Sequence, residues 1–247
     1  MCNVSTGYKV LEVDQLLSVS KYLWTFDDLN DIKDLQGESW AQISGSLQST
    51  TGVRGLAVKA LGGAGFIELI KDAALLLANP LPHSCVTLSL WLSYEIQIPN
   101  VVQTFFAAGD QENGDRGVRL YQEDGSKEEL TFKITAATTW CSIRFSAFQR
   151  VWSHLVFSWG NSSEINKLKV YLNGNEATPL EHQCDSLSTN DLSDHDIKIG
   201  LSQLPLASFD DIILWAKELS AAEVAQLFQF YKGKYPHLPF AELSVIY

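Results

Sequence analysis

The sequence lacks any apolar run that approaches the roughly 20 residues needed to cross a bilayer. Its richest apolar run, at residues 73–78, is interrupted by Asn79 and Pro80. Residues 1–8 also lack a charged start followed by an apolar core, so no signal peptide is recognisable. We therefore expect that no part of this segment inserts into a membrane.

Positive charge is scarce as well. The 247 residues contain 18 Lys and Arg against 29 Asp and Glu, a formal net charge of -11. Such a chain repels phosphate backbones at long range and lacks the clustered cations that drive counterion release. Nucleic acid is therefore excluded as a partner, whereas acidic loops retain the oxygen ligands that calcium prefers.

Common catalytic motifs are missing too. The five histidines are scattered, with no His-Glu-x-x-His spacing, and no Gly-x-Ser-x-Gly elbow is present. The glycines at residues 62–65 are not followed by the Lys and Ser or Thr of a phosphate-binding loop, which favours a hairpin turn. Glu12 and Asp14 supply only half of the carboxylate set that glycosidases use, and Glu128 with Glu129 lacks a third partner.

Short strand patterns are what the sequence does contain. Residues 151–159 and 168–173 each alternate apolar and polar side chains with period two, and Asn173, Gly174 and Asn175 form a turn signal. In the same alternation, His154 and Leu155 lie on opposite faces of one strand. We interpret His154 as a structural strand residue. Similar strands recur every eight to fifteen residues, as in a β-sandwich or jelly roll.

One helix is expected, at residues 221–231. Ser220 and Glu223 have the spacing of a capping box, and Val224, Leu227 and Tyr231 lie on one apolar face. Gly233 and Pro236 are predicted to end it. The fold class is therefore all-β, a two-sheet antiparallel jelly-roll sandwich with one short C-terminal helix.

Several motifs in order resemble the laminin G-like and pentraxin-like domains of the concanavalin A-like lectin and glucanase superfamily. They are Trp24 to Asp27 (W-x-F-D), the glycine-containing stretch at residues 52–58, Thr87 to Trp91 (T-x-S-x-W), the hairpin described above, and the closing sequence FDDIILWAKELSAAEVAQLF. The resemblance covers about residues 22–232. It implies an N-terminal extension at residues 1–21, a jelly roll at 22–232 and a C-terminal extension at 233–247.

The resemblance implies an extracellular or cell-surface module that binds a glycan or a protein partner, as a fragment of a larger protein. Asn3 and Asn161 both satisfy the N-glycosylation rule, and the four cysteines form an even set. Unmodified asparagines in a cytosolic protein are the alternative. A carbohydrate-active enzyme of the glycoside hydrolase type, with an unrecognised site, is the competing function.

A disulfide between Cys85 and Cys141 is implied by the resemblance, because pentraxins join an early core strand to a mid-chain strand in this way. Four cysteines permit three connectivities, so the residues alone do not choose among them. Cys2 and Cys184 would then be left as a second pair.

Calcium is the cofactor that the resemblance implies, with Asp27 and Asp210 as ligands where the opening and closing strands meet. Other loop carboxylates were considered as ligands or as solvated, turn-forming acids: Asp28, Asp110, Asp115 and Asp211. The competing account is that Asp210 accepts hydrogen bonds from backbone amides in a turn. Exposed aromatic side chains would mark a glycan platform, and the candidates are Trp40, Tyr121 and Trp140.

Overall fold

The computed structural model is a sandwich of two antiparallel sheets, with two helices among the described residues. The structure describes residues 12–32, 34–36, 41–61, 65–69, 85–95, 101–110, 116–123, 128–136, 139–160, 168–184, 197–200 and 206–234. In chain order its elements are α1 (Val13–Ser18), β1 (Tyr22–Trp24), β2 (Ala41–Ser44), β3 (Leu47–Thr51), β4 (Leu56–Leu61), β5 (Phe66–Leu69), β6 (Cys85–Glu95), β7 (Gln103–Asp110), β8 (Arg116–Gln122), β9 (Glu129–Ala136), β10 (Thr139–Ser146), β11 (Ser153–Gly160), β12 (Lys169–Leu172), β13 (Asn175–Glu176), β14 (Glu181–Cys184), β15 (Ile197–Ile199), β16 (Leu206–Trp215) and α2 (Ala221–Lys234).

Each sheet has eight strands. The first sheet has the order β13-β12-β11-β6-β16-β4-β3, with β1 also paired to β16, and the second has the order β14-β10-β9-β8-β7-β15-β5-β2. Strand β16 pairs with β6 along one side, while on the other side it pairs with β4 through Phe209 and with β1 from Ile212. The expected two-sheet antiparallel sandwich is confirmed.

Apolar side chains fill the space between the sheets. Phe132 stacks on Phe157 with ring centroids 4.0 Å apart, which joins β9 of the second sheet to β11 of the first. Trp24, Phe26, Phe105 and many aliphatic side chains are fully buried in the same core. Burial of such area stabilises the sandwich by roughly 25 cal/mol for each Å² removed from water.

A second core covers the opposite face of the first sheet. Helix α2 places Val224, Leu227, Phe228 and Tyr231 against Trp91 and its neighbours, and Leu16 of α1 belongs to the same cluster. The first sheet is therefore buried on both faces. Neither described helix belongs to a cluster on the side of the second sheet that points away from the core.

Helix α2 begins where the capping box predicts. The Ser220 amide donates to Glu223 Oε2 at 2.8 Å and the Glu223 amide donates to Ser220 Oγ at 3.2 Å. The helix continues through Gly233 to Lys234, beyond the expected end, because a glycine in a solvated last turn weakens a helix without breaking it. Helix α1, six residues long, was not expected from the sequence; it is anchored by the single buried residue Leu16.

The central hairpin also matches its prediction. Strands β11 and β12 pair antiparallel, with Leu155 opposite Leu172. Asn173 and Gly174 have φ values of 51° and 81°, the left-handed conformation required by a tight turn. His154 is fully buried and hydrogen-bonded to Ser89 Oγ at 2.8 Å, in agreement with a structural role.

The expected Cys85–Cys141 disulfide is wrong. Cys141 is bonded to Cys184, which lies directly opposite it where β14 pairs with β10. The pairing came from the family resemblance, and the polar residues 181–184 give no strand signal that would reveal the edge strand carrying Cys184. Cys85 belongs to the first sheet and is itself disulfide-bonded; Cys2 lies outside the described residues.

Among the described residues, no helix is long and apolar enough to span a membrane.

Gly174 offers a test of the turn. A Cβ at this position would lie 3.0 Å from Phe228 Cβ, and the φ of 81° is unfavourable for any side chain. We expect Gly174→Ala to lower the free energy of unfolding by about 1–2 kcal/mol, measured by urea denaturation.

Gly233→Ala is the matched control. A Cβ at Gly233 meets nothing within 4 Å, and the residue lies in α2. Alanine there should leave the stability unchanged or raise it by up to about 1 kcal/mol. Equal destabilisation by both substitutions would contradict this account of the turn.

Candidate functional site

The carboxylates predicted at the two ends of the fold converge on one turn, at residues 52–56. Asp210 Oδ2 accepts the amides of Val53 and Arg54 at 2.7 and 3.0 Å. Asp27 Oδ1 accepts the Leu56 amide at 2.9 Å. Strand β16 changes partner from β4 to β1 between Phe209 and Ile212, which is why the turn that precedes β4 reaches both carboxylates.

Two glycines permit this close approach. A Cβ at Gly52 would lie 2.5 Å from Asp210 Oδ2, and a Cβ at Gly55 would overlap Asp27 Oδ1. Gly55 also has a φ of 72°, which favours glycine. The glycine-containing stretch therefore serves to bring backbone amides onto two carboxylates.

Asp211 connects the same turn to helix α2. It lies in the bulge of β16 with a φ of 35°, and its Oδ2 accepts the Tyr231 hydroxyl at 2.6 Å and pairs with Arg54 Nε at 3.2 Å. Burial raises the pKa of Asp211, and burial together with repulsion from Asp211 raises the pKa of Asp210 to about 8. Both side chains are fully buried, so this pair is a structural junction and not an accessible reaction centre.

The donor set around Asp210 favours the hydrogen-bonding account over a metal. Its Oδ1 accepts the Asp211 amide at 2.9 Å, so three N–H groups point their positive ends at this one carboxylate. A cation would have to share these oxygens with three donors. Calcium binding by Asp27 and Asp210 stays a prediction from the family resemblance.

Among the other candidate ligands, Asp211 lies in this junction and Asp28 does not. Asp28 is exposed and its Oδ1 accepts the Asn30 amide at 2.9 Å, which is a turn-forming role. The side chains of Asp110 and Asp115 lie outside the described part of the chain, as do Trp40, Asn3 and Asn161. The three side chains that could hold a metal among the described residues are Cys141, His182 and Cys184; two of these form the disulfide.

A different surface carries polar and aromatic groups that face away from the core. We define the outer face as the side of the second sheet opposite the core, with Thr104, Arg119, Tyr121, Lys133, Trp140 and Arg144 among its side chains. Their sequence neighbours Val118, Leu120, Phe132, Ile134, Cys141 and Ile143 point into the core. Strand alternation therefore places the two sets on opposite faces.

Cations stack on aromatic rings across the outer face. The Arg119 guanidinium lies 4.7 Å from the Tyr121 ring centroid, and Lys133 Nζ lies 5.1 Å from that of Trp140. Arg119 also donates from Nε and Nη2 to Thr104 Oγ1, at 2.9 and 2.5 Å. Burial lowers the pKa of Arg119, and Lys133 and Trp140 are half-buried. Two of the three predicted platform aromatics therefore lie on this face.

Tyr121 itself is largely covered, and its hydroxyl donates to Glu123 Oε1 at 3.0 Å. Sequence reasoning had named Tyr121 and Trp140 but missed Arg119 and Lys133. Their alternation with core residues in β8 and β9 was the available signal.

Comparison with known proteins agrees with this fold. A family model of the concanavalin A-like lectin/glucanases superfamily, named for laminin G, matches residues 70–225. This match covers more than half of the chain, so the protein belongs to that superfamily. No match was found among curated proteins.

Solved structures with the same fold include receptor-binding domains of neurotoxins. The binding domain of botulinum neurotoxin DC in complex with SialylT has a TM-score of 0.67 and 14% identity, over 87% of this chain and 51% of that one. A structure titled for the interaction of botulinum neurotoxin type C with two ganglioside molecules has a TM-score of 0.67 and 14% identity, over 89% and 53%.

A third neurotoxin structure, in complex with rat synaptotagmin II, has a TM-score of 0.63 and 14% identity, over 85% of this chain and 51% of that one. The present chain thus spans about half the length of these structures. At this identity the likeness shows the fold alone.

Replacement of Asp210 tests the electrostatics of the junction. Because its folded-state pKa is raised above the unfolded value of about 3.9, its contribution to stability is full at acidic pH and is lost as the pH rises toward about 8. We expect the stability advantage of the wild type over Asp210→Asn to shrink between pH 5 and 8, by at most about 1.4 kcal/mol per pH unit.

Urea denaturation at several pH values measures this difference, and the subtraction cancels groups common to both proteins. His154 is one such group: burial lowers its pKa to about 3, so its contribution is lost as the pH falls below about 6.5. A wild-type advantage that is constant with pH would contradict the buried-acid interpretation of Asp210.

Thermal unfolding in calcium and in chelator separates the two accounts of Asp27 and Asp210. If the carboxylates only hold the turn, the midpoint is the same in both solutions, which is the result we expect from the three N–H donors. A metal bound to the folded state would add about 2.7 kcal/mol at a hundredfold excess over Kd. A higher melting midpoint in calcium than in chelator, lost in the Asp210→Asn variant, would support the metal site.

Proposed function

We propose that the protein is an extracellular or cell-surface recognition module that binds a glycan through the outer face of its second sheet. One observation carries the proposal: the half-buried Trp140 ring, with Lys133 against it, lies on the same face as Arg119 and its stacked Tyr121. Aromatic faces can pack on the apolar C–H face of a sugar ring while neighbouring donors bind its oxygens.

The organisation of the sandwich supports the choice of surface. The first sheet is covered by apolar contacts on both faces, with α2 on the side away from the core. On the second sheet, the side chains of β8, β9 and β10 that face away from the core alternate with core residues. Among them, Arg119, Lys133 and Trp140 are half-buried. These side chains can be reached by a ligand without unpacking either core.

Two further facts favour a binding role. The superfamily includes lectins, and three neurotoxin structures with this fold concern the binding of SialylT, gangliosides and synaptotagmin by those proteins. The disulfide Cys141–Cys184 suits an oxidising compartment. A protein ligand on the same face is the alternative outcome, and calcium assistance belongs to the experiment on Asp210 above.

The competing function, a glycoside hydrolase-type domain, gains no specific support from the described residues. Its chemistry needs two carboxylates that face the substrate, about 5–10 Å apart. The adjacent pair Asp210 and Asp211 is fully buried and holds the 52–56 turn and Tyr231. Incubation with mixed polysaccharides tests this alternative, since release of reducing ends would establish catalysis.

Trp140→Ala tests the proposed surface. Loss of the ring should weaken the glycans bound by the wild type on an oligosaccharide array by about five- to thirtyfold, because a stacking aromatic side chain contributes about 1–2 kcal/mol. The readout is the apparent Kd for each bound glycan, with the melting midpoint measured in parallel.

Phe66→Ala is the control variant. Phe66 is also half-buried with a cation, Lys198, 5.4 Å from its ring centroid, but it lies on β5, several strands from Trp140. Its loss should leave glycan binding unchanged. Equal weakening by both variants, or no glycan bound by the wild type, would contradict the assignment of this surface.

A further inference from the structure

Arg119 and Lys133 stand directly opposite each other. They are Cα partners where β8 pairs antiparallel with β9, so their side chains share the outer face. The Cβ atoms of such a pair are about 4.5–5.5 Å apart, and like charges in this position reduce the stability of a sheet. The stability of the sheet therefore does not explain why two cations lie at one register position.

Neither cation forms an ion pair with an acid in the described part of the chain. By contrast, Arg144 on the same face pairs with Glu129 at 3.3 Å and with Glu181 at 2.9 Å. Lys198, in the same cross-strand row two positions from Arg119, pairs with Glu68 at 3.7 Å. The carboxylate of Glu123, which influences Arg119, is held by the Tyr121 hydroxyl.

The two cations are held in place by neutral groups. Thr104 Oγ1 accepts two N–H bonds from Arg119, and the guanidinium lies on the Tyr121 ring. Lys133 Nζ lies against Trp140. These contacts fix the direction of the charges without cancelling them, and they leave the other guanidinium and ammonium donors available. An oriented, unneutralised pair of cations is a site for an anion.

We propose that Arg119 and Lys133 bind the carboxylate of an acidic saccharide, whose ring packs on Trp140. This inference rests on the proposed glycan-binding function and specifies its ligand class. The planar guanidinium matches a carboxylate, Lys133 adds a second charge, and the neighbouring aromatic ring offers a surface for the sugar.

The net charge of the chain restricts the ligand further. At -11 the protein repels densely charged polyanions over the Debye length of about 8 Å at physiological ionic strength. Polysulfated chains need extended clusters of cations, and this site offers two adjacent ones. A saccharide with a single carboxylate fits the local charge without meeting that long-range repulsion at several points.

Matched ligands provide the test. The whole chain is titrated with saccharides that each carry one carboxylate, ending in sialic, glucuronic or galacturonic acid, and with the same saccharides whose carboxylate is converted to an amide. At least one acid should bind about tenfold or more tightly than its amide, because a hydrogen bond to a charged group is worth more than a neutral one. A polysulfated oligosaccharide serves as the third arm.

Three variants locate the interaction. Arg119→Gln and Lys133→Gln should each reduce the preference for the acid over its amide about tenfold. Lys133→Gln should leave the melting midpoint unchanged or higher because it relieves the like-charge contact, whereas Arg119→Gln also loses the two hydrogen bonds to Thr104 Oγ1. Lys198→Gln removes one charge from the same row but from a neutralised lysine, so it should keep the preference. If Arg119→Gln does not fold, Lys133→Gln still decides the question.

The outcomes are distinguishable from failure of the proposed function. If acid and amide bind equally, or the polysulfated probe binds best, the carboxylate site is overturned while glycan binding stands. If Lys198→Gln is as damaging as Lys133→Gln, the effect is one of net charge and the site is overturned. If no saccharide binds, both the inference and the proposed function fail.

Discussion

The hydrogen bond from Tyr231 to Asp211 connects the three parts of the structure on which the rest depends. It joins helix α2 to the bulge of β16, and Asp211 in turn pairs with Arg54 of the 52–56 turn. Because an unpaired buried carboxylate costs several kcal/mol, the helix and the turn both stabilise Asp211 by binding its Oδ2, while its buried Oδ1 has no hydrogen-bond partner among the described residues. The closing strand thereby fixes α2 over the first sheet.

Polar groups have opposite roles on the two sides of the sandwich. Around β16, the carboxylates of Asp210 and Asp211 are buried and accept backbone and side-chain donors that stabilise the chain's own turns. On the outer face, Arg119 and Lys133 are oriented by a hydroxyl and two rings, without acids of the chain in an ion pair with them among the described residues. The buried carboxylates bind groups of the chain itself, whereas Arg119 and Lys133 have N–H donors that their contacts within the chain do not use.

The sequence predicted the alternating strands and the capped helix, because each depends on local periodicity. It also named Asp27 and Asp210, which both bind the 52–56 turn, whereas their role as calcium ligands stays a prediction. It did not predict strand β14, whose residues are mostly exposed, and therefore misassigned the partner of Cys141. Helix α1 escaped notice because one buried side chain, Leu16, makes too weak an apolar pattern. Arg119 and Lys133 were missed because strand register, which places them opposite each other, is a long-range property that alternation within one strand does not reveal.

Amide chemical-shift mapping shows where on the protein a saccharide binds. With isotope-labelled protein titrated with a saccharide that it binds, the account predicts shifts concentrated in β8, β9 and β10 at positions that face away from the core, with the largest near Arg119, Lys133 and Trp140. Shifts concentrated instead at the 52–56 turn and at Asp27, with β8 to β10 unaffected, would contradict it.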